Sequence, residues 1–269
     1  MSLSFAKPTT RTIIRTLIPI GTALLAFVVT GFLLLAGGFD PLEAYGLILQ
    51  GSVGGVREGG ETLVRTTSLL LTGLAVGFAF RCRVWNIGAE GQLYFGAIGA
   101  VVIALTVAGQ IPVFGVIIAI IFAMIFGAGW AAIAGVLKSR LGVNEIIVTV
   151  MLNFIAILFV DFLVHGALKA PGFEPQSALI PLTSQLPILI EGTRFHAGFL
   201  VAIAAAVLIY LILFKTKTGF SLRATGVNPK ASGYAGINVK RSILLTLLIS
   251  GAVAGIAGAC LVQGVNDRL

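Results

Sequence analysis

From Gly91 to Leu137 the chain reads GQLYFGAIGAVVIALTVAGQIPVFGVIIAIIFAMIFGAGWAAIAGVL, 47 residues without a charge. A helix covers ~30 Å of hydrocarbon with about 20 apolar residues, so this run is long enough to cross a membrane twice. Gln110-Ile111-Pro112 supplies the turn between the crossings. Working outward, the same alternation of charge-free runs and charged connectors repeats. Arg15 and Asp40 enclose 24 uncharged residues, which predict the first span. The second runs over about 63–80, with Arg65 near enough to its end to snorkel. Further spans are expected over 145–168, from Phe195 to Phe214, and from Ser242 to Asn266. The fold class is therefore all-α, a polytopic transmembrane bundle of about seven spans within one domain, 1–269.

The whole composition agrees. Of 269 residues, 58% are hydrophobic and 10% charged, and mean hydropathy is +1.06. Soluble domains carry roughly a quarter charged residues. The apolar content excludes a disordered chain, and two cysteines exclude a disulfide scaffold. A net charge of +8 does not mark a nucleic-acid partner, because the cations lie in short clusters between apolar runs. With the N-terminus in the cytoplasm, 13 of the 18 Lys and Arg fall on the inner side. These include Lys7, Arg11, Arg15, Arg81, Arg83, Lys138 and Arg140, followed by the six cations of 215–241. The outer connectors collect Asp40, Glu43, Glu58, Glu61, Glu174, Glu191 and Asp267. The basic prelude to the first span resembles a signal peptide, but its apolar core is too long, so it is read as a retained anchor. Cys82 and Cys260 fall on opposite membrane faces, too far apart to be bridged.

Three polar stretches interrupt the apolar pattern. In Arg81-Cys-Arg-Val-Trp-Asn-Ile-Gly-Ala-Glu-Gly-Gln92, Asn86 is suited to cap a helix and Glu90 to its first turn. Glu90 and Gln92 either structure that helix start or line a pathway, since ionisable groups at membrane depth are costly. In Gly142-Val-Asn-Glu-Ile-Ile-Val-Thr-Val-Met-Leu-Asn153, Asn144 caps the fifth span. Thr149 and Asn153 share one face of it, and Asn153 needs a partner, another helix or a polar solute. Asp161 and His165 form an i, i+4 pair at a wet helix end. Small-xxx-small pairs at Gly73/Gly77, Ala131/Gly135, Gly251/Gly255 and Ala254/Gly258 predict close helix packing.

The longest inner connector, 215–241, contains Asn228-Pro229, a strong helix start, and Gly236, a natural stop. The helix between them spans about two turns, too short to stand alone in water. Ala231, Tyr234, Ala235 and Ile237 have nothing in the connector to bury against. Such a helix either docks on a partner or lies on the headgroups. No phosphate-binding G-x-x-x-x-G-K-[ST] is present. His165 and His196 have no metal-ligand companions at the required spacing, and no nucleophile–base pair is recognisable. The chain does not read as an enzyme.

Three strings together resemble one family: Trp85-Asn-Ile-Gly-Ala-Glu-Gly-Gln92, Val143-Asn-Glu-Ile-Ile-Val-Thr-Val-Met-Leu-Asn153, and 219–237, GFSLRATGVNPKASGYAGI. They look like permease subunits of ATP-binding-cassette importers, in the branch with ribose-type sugar and branched-chain amino acid permeases. Within it they are most similar to nucleoside and simple-sugar permeases, from about residue 40 onward. The resemblance implies a multi-pass protein of the bacterial inner membrane that needs no cofactor of its own, ATP and Mg being held by a separate ATPase subunit. It implies a second permease, identical or paralogous, and an external substrate-binding protein meeting connectors 39–62 and 169–195. The 219–237 segment matches the helix that docks on the ATPase, which makes Arg223, Gly226, Asn228, Pro229 and Gly236 coupling residues. Asn86, Glu90, Gln92, Thr149 and Asn153 become candidates for the solute pathway. Members of this group continue beyond the string matching Gln263–Leu269, so the chain reads as short at its C-terminus. A rival reading is a proton-coupled secondary carrier using Glu90, Glu145 or Asp161 without an ATPase.

Overall fold

The computed structural model of the protein describes residues 10–111 and 114–269, with side chains from Leu17 onward except at position 108. Lys7 and Pro112, both used in the sequence reading, lie outside these residues. Among the described residues ten α-helices follow in order: α1 Thr10–Ala36, α2 Pro41–Val53, α3 Val56–Arg81, α4 Ala89–Thr106, α5 Gly115–Leu141, α6 Glu145–His165, α7 Gly198–Lys215, α8 Lys217–Val227, α9 Pro229–Tyr234 and α10 Val239–Leu261. Seven helical segments among the described residues are long and apolar enough to span a membrane, the last extending through a π-helical turn to Asn266. All the expected spans are present, and among the described residues there is no strand.

Two compact units form, one up to Gly59 and one over Gly60–Leu269. In the first, α1 turns at Gly38, with φ +82°, into α2. Asp40 caps α2 through the Leu42 N–H at 2.8 Å, with Pro41 at the first helical position. The Tyr45 hydroxyl donates to the Phe27 carbonyl at 2.6 Å, tying the two helices. This segment was expected to be a connector. The short helix is nucleated by its cap and proline rather than by periodicity.

In the second unit α4, α5 and α10 form the centre. The most apolar stretch of α10 is 67% buried and that of α4 56%. The cause is the glycines. A Cβ on Gly258 would meet the Leu93 carbonyl, one on Gly251 the Gly127 carbonyl, and one on Gly96 the Cα of Gly255. Helices in lipid gain little from excluding water, so close backbone approach through small residues is what holds them together. The predicted motifs on α5 and α10 thus meet partners. Gly73 and Gly77 have nothing within 4 Å of a built Cβ and border an apolar groove beside Phe78 and Phe214. Around this centre, α3, α7 and α8 join a second layer through Leu71, Phe78, Ala205, Leu213 and Leu222.

The connector before α7 is stitched to the last residues of the chain. Ile180 N–H donates to the Asp267 carbonyl at 2.9 Å, and Leu186 N–H to the Gln263 carbonyl at 2.8 Å. Gln263 Nε2 returns a bond to the Ser184 carbonyl at 2.7 Å. Arg194 forms a two-pronged contact with Glu61 on α3, at 2.7 and 2.6 Å. Cys82 and Cys260 are both free and buried.

Candidate functional site

The turn joining α3 to α4 brings four of the five pathway candidates together. Arg83 takes a left-handed conformation, φ +53°, and ends α3. Asn86 then enters the interior, fully buried. Its Nδ2 donates to Gln92 Oε1 at 2.9 Å and to Ser250 Oγ at 2.8 Å. Its Oδ1 accepts from Gln92 Nε2 and from the Gly88 N–H, both at 3.0 Å. The Ser250 hydroxyl in turn donates to the Ala75 carbonyl at 2.7 Å. On the opposite side α6 grips the same turn. Thr149 Oγ1 accepts from the Ile87 N–H at 3.3 Å. Asn153 accepts from the Gly91 N–H at 2.9 Å and donates to the Ile87 carbonyl at 3.0 Å.

Asn86 was expected to cap the following helix. Instead α4 starts at Ala89 after Gly88, without a side-chain cap, because the Asn86 Oδ1 that would cap it is taken by Gln92 Nε2 and the Gly88 N–H. Gly88 and Gly91 are required where they stand. A Cβ on the first would lie 2.9 Å from Thr149 Cβ, and on the second 2.9 Å from Asn153 Oδ1. Glu90 faces outward, exposed, with no hydrogen bond or ion pair among the described residues. Asn153 is only half-buried. Beside it, Trp130 stacks on Phe95 with centroids 3.6 Å apart, and Phe95 stacks in turn on Phe159. Trp130 Nε1 is buried without an acceptor. Ser250 and Trp130 were not singled out in the sequence, since nothing in the local pattern of α10 or α5 marks them.

Because Asn86 uses all four of its amide hydrogen-bonding positions, Asn86→Asp is expected to be severe despite equal size. Two donated bonds are lost and a buried charge faces two acceptor oxygens. A loss of about 2–5 kcal/mol is expected, from roughly 1–3 per stranded polar group. Replacing the reciprocal pair together, Asn86→Leu with Gln92→Leu, is expected to be milder. Thermal unfolding in detergent checks the ranking, and equal melting of Asn86→Asp and wild type would refute it.

The second site is the 215–241 segment. Its expected single helix is two. Thr216 caps α8 by accepting the Gly219 N–H at 3.0 Å. Arg223 lies over the Phe214 ring at 5.1 Å, sharing it with Arg81 at 5.7 Å. Gly226 presses on the Cys82 carbonyl, where a Cβ cannot fit. Burial pushes the Cys82 thiol up to about 11, so it stays protonated and inert. Asn228 closes α8 and caps α9, accepting from the Ala231 N–H at 3.0 Å, and Pro229 takes the first helical position. α9 ends at Tyr234, close to the two turns expected, because Gly236 turns left-handed at φ +82° and Ile237 N–H reaches back to the Ser232 carbonyl. Tyr234 is 94% exposed and Val227 69%.

The carboxylates of the carrier reading are accounted for separately. Glu145 pairs with Lys138 at 2.6 Å across the Gly142 turn. Asp161 and His165 form an exposed contact of 3.2 Å. Among the described residues no three His, Cys, Asp or Glu side chains gather as a metal site would need.

Residues 60–267 match the sequence model of the branched-chain amino acid transport system permease component family. The chain belongs to that family. Among its curated relatives, the guanosine ABC transporter permease protein NupP of Bacillus subtilis is 36% identical over 249 residues, covering 90% of this chain and 70% of that protein. The nucleoside ABC transporter permease protein NupB of Lactococcus lactis is 32% identical over 253 residues, 91% of this chain and 70% of its own. The glucose ABC transporter permease protein TsgB13 of Haloferax volcanii is 33% identical over 265 residues, 93% and 68% of the two chains. No solved structure matches significantly. As a family member the chain is a multi-pass permease component, and this accounts for a bundle rich in glycine contacts.

Proposed function

We propose that the chain is a pathway-forming subunit of an ATP-driven importer for nucleosides in the bacterial inner membrane. Its N-terminus lies in the cytoplasm, the side the basic connectors favour. The observation that carries the reading is α9, a six-residue helix with an exposed tyrosine at its tip, carried by α8, whose Gly226 presses on the turn after α3. Such a helix is a handle. It serves as the docking element for an ATPase subunit that holds ATP and Mg, with Arg223 and Gly226 seating α8 and with Asn228, Pro229 and Gly236 shaping α9. ATP binding on the partner would move α8 and α9 as a unit against the turn at Cys82, and through it the 84–92 segment. Of the pathway candidates, Glu90 and Asn153 keep access to solute, while Asn86, Gln92 and Thr149 hold the turn that presents them. Nucleosides are preferred over simple sugars because two of the relatives above carry guanosine or nucleoside in their names. A second permease and an external binding protein complete the assembly.

The pairing of Glu145 with Lys138 and the exposure of Asp161 argue against the proton-coupled carrier. The test is mild-detergent purification of the tagged chain from its native membranes, combined with labelled guanosine uptake. An ATPase and a second permease are expected to co-purify, with uptake surviving a protonophore at preserved ATP and resisting excess ribose. A folded chain that purifies alone, with uptake abolished by the protonophore, overturns the reading.

A further inference from the structure

Between residues 192 and 266 the sequence has no Asp or Glu, yet it carries seven Lys and Arg. Two of these, Lys217 and Arg241, line a cavity of about 410 Å³ bounded by the start of α8, the Gly236–Asn238 turn and the start of α10. That volume lies in the ~300–1,000 Å³ range of small-ligand pockets. No lining residue is acidic, and neither cation has an ion-pair partner among the described residues.

Two helix N-termini open on this cavity; Thr216 and Asn238 each cap one N–H, those of Gly219 and Arg241, both at 3.0 Å, and the N–H groups before them have no acceptor within the helix. Their dipoles favour an anion. A separate observation points to a ligand. Ser242 is only 6% exposed and lines the cavity, and its hydroxyl makes no hydrogen bond among the described residues. Its neighbour one turn on, Thr246, behaves as serines and threonines in helices commonly do and bonds the carbonyl four residues back, at 2.9 Å. The geometry points to a binding site for a phosphate group, held by Lys217, Arg241 and the Ser242 hydroxyl between the two helix starts.

The cavity's depth identifies the first source to try. One membrane span ends at Lys215 and another begins at Val239, so the site lies at the boundary between hydrocarbon and water. Leu222, Ile237 and Leu245 supply an apolar side. A phosphate there with an acyl chain alongside is the headgroup of an anionic phospholipid, and a soluble phosphate shares the polar half of the same chemistry.

The full chain, purified in detergent, is to be titrated with short-chain phosphatidylglycerol and, separately, with inorganic phosphate, following the unfolding midpoint. Saturable stabilisation by phosphatidylglycerol is expected, weakened at least about tenfold in Lys217→Gln/Arg241→Gln and less in Ser242→Ala. Lys230→Gln, a cation outside the cavity, is expected to bind as wild type. Stabilisation by the lipid alone identifies a headgroup, and stabilisation by inorganic phosphate with the same residue dependence identifies a soluble phosphate. Both affirm the site. Since Lys217 and Arg241 are exposed, their ligand-free melting is expected to match wild type, and Arg241→Lys gives a second variant that keeps the charge. Equal affinity in wild type and the double variant, no stabilisation by either ligand, or equal weakening by Lys230→Gln overturns the proposal.

Discussion

Gly255→Leu is expected to leave no monodisperse, folded chain. Gly255 sits where α4, α5 and α10 meet. Its Cα receives Gly96 of α4 on one side, and the same atom lies 2.8 Å from where a Gly127 Cβ of α5 would stand on the other. A side chain at 255 would run into the Ala123 carbonyl and stop 3.3 Å from the Gly127 Cα. Ordinary overpacking costs about 1–3 kcal/mol because side chains can shift. Here the obstacles are backbone atoms of two helices, so the helices themselves must separate and the cost exceeds that range. Gly255→Ala should already lower the melting temperature, since the collision begins at Cβ. Gly73→Leu is the control. It adds the same bulk to another small-xxx-small pair, but into a groove with nothing within 4 Å. Size-exclusion profile and melting midpoint in detergent decide the matter. A Gly255→Leu chain that melts like Gly73→Leu would mean that α4, α5 and α10 do not touch as described.

The contrast between Gly73 and Gly255 shows where sequence reading stops. The small-xxx-small spacing is the same in both, and only the tertiary arrangement says which pair has a helix against it. The spans themselves were legible, because a charge-free run of about 20 residues is a physical requirement of the bilayer and depends on no neighbour. Caps read from Asn144 and from Asn228-Pro229 were also local facts. Asp40-Pro41 carries the same signal, and the helix it starts was passed over because its surroundings read as a connector. α8 was hidden by Gly219 and Gly226, which lower helix propensity. Those glycines are used for contact, one against the end of α7 and the other against the Cys82 carbonyl. Asn86 shows the limit most plainly. A good cap residue near a helix start was assigned to the nearest helix, whereas its amide is bound by Ser250, 164 positions away. Long-range hydrogen bonds of this kind leave no periodic trace.

Asn228→Ala and Tyr234→Asp are each expected to lower uptake at least tenfold, while the bundle keeps its melting temperature. α9 has six residues, well below the ~12–15 at which an isolated helix becomes marginal. It persists because Asn228 caps it and because Pro229 arrives with its φ already fixed. Loss of the cap costs about 1 kcal/mol. That is little for the whole protein but enough to fray one and a half turns that pack on the chain mainly through Ser232. Tyr234 tests the outward face. At 94% exposed it contributes almost nothing to this chain's own packing, and tyrosine is among the residues that dominate binding when a partner buries them. A carboxylate there should release the ATPase from the purified assembly and leave α9 intact. The two variants therefore separate shape from contact. Asn228→Ala should weaken coupling through a frayed helix, and slower backbone amide exchange after adding ATPase would show its repair. Tyr234→Asp should abolish co-purification outright. Normal uptake in both variants would remove α9 from the coupling path and leave α8, with Arg223 on the Phe214 ring, as the element to test next.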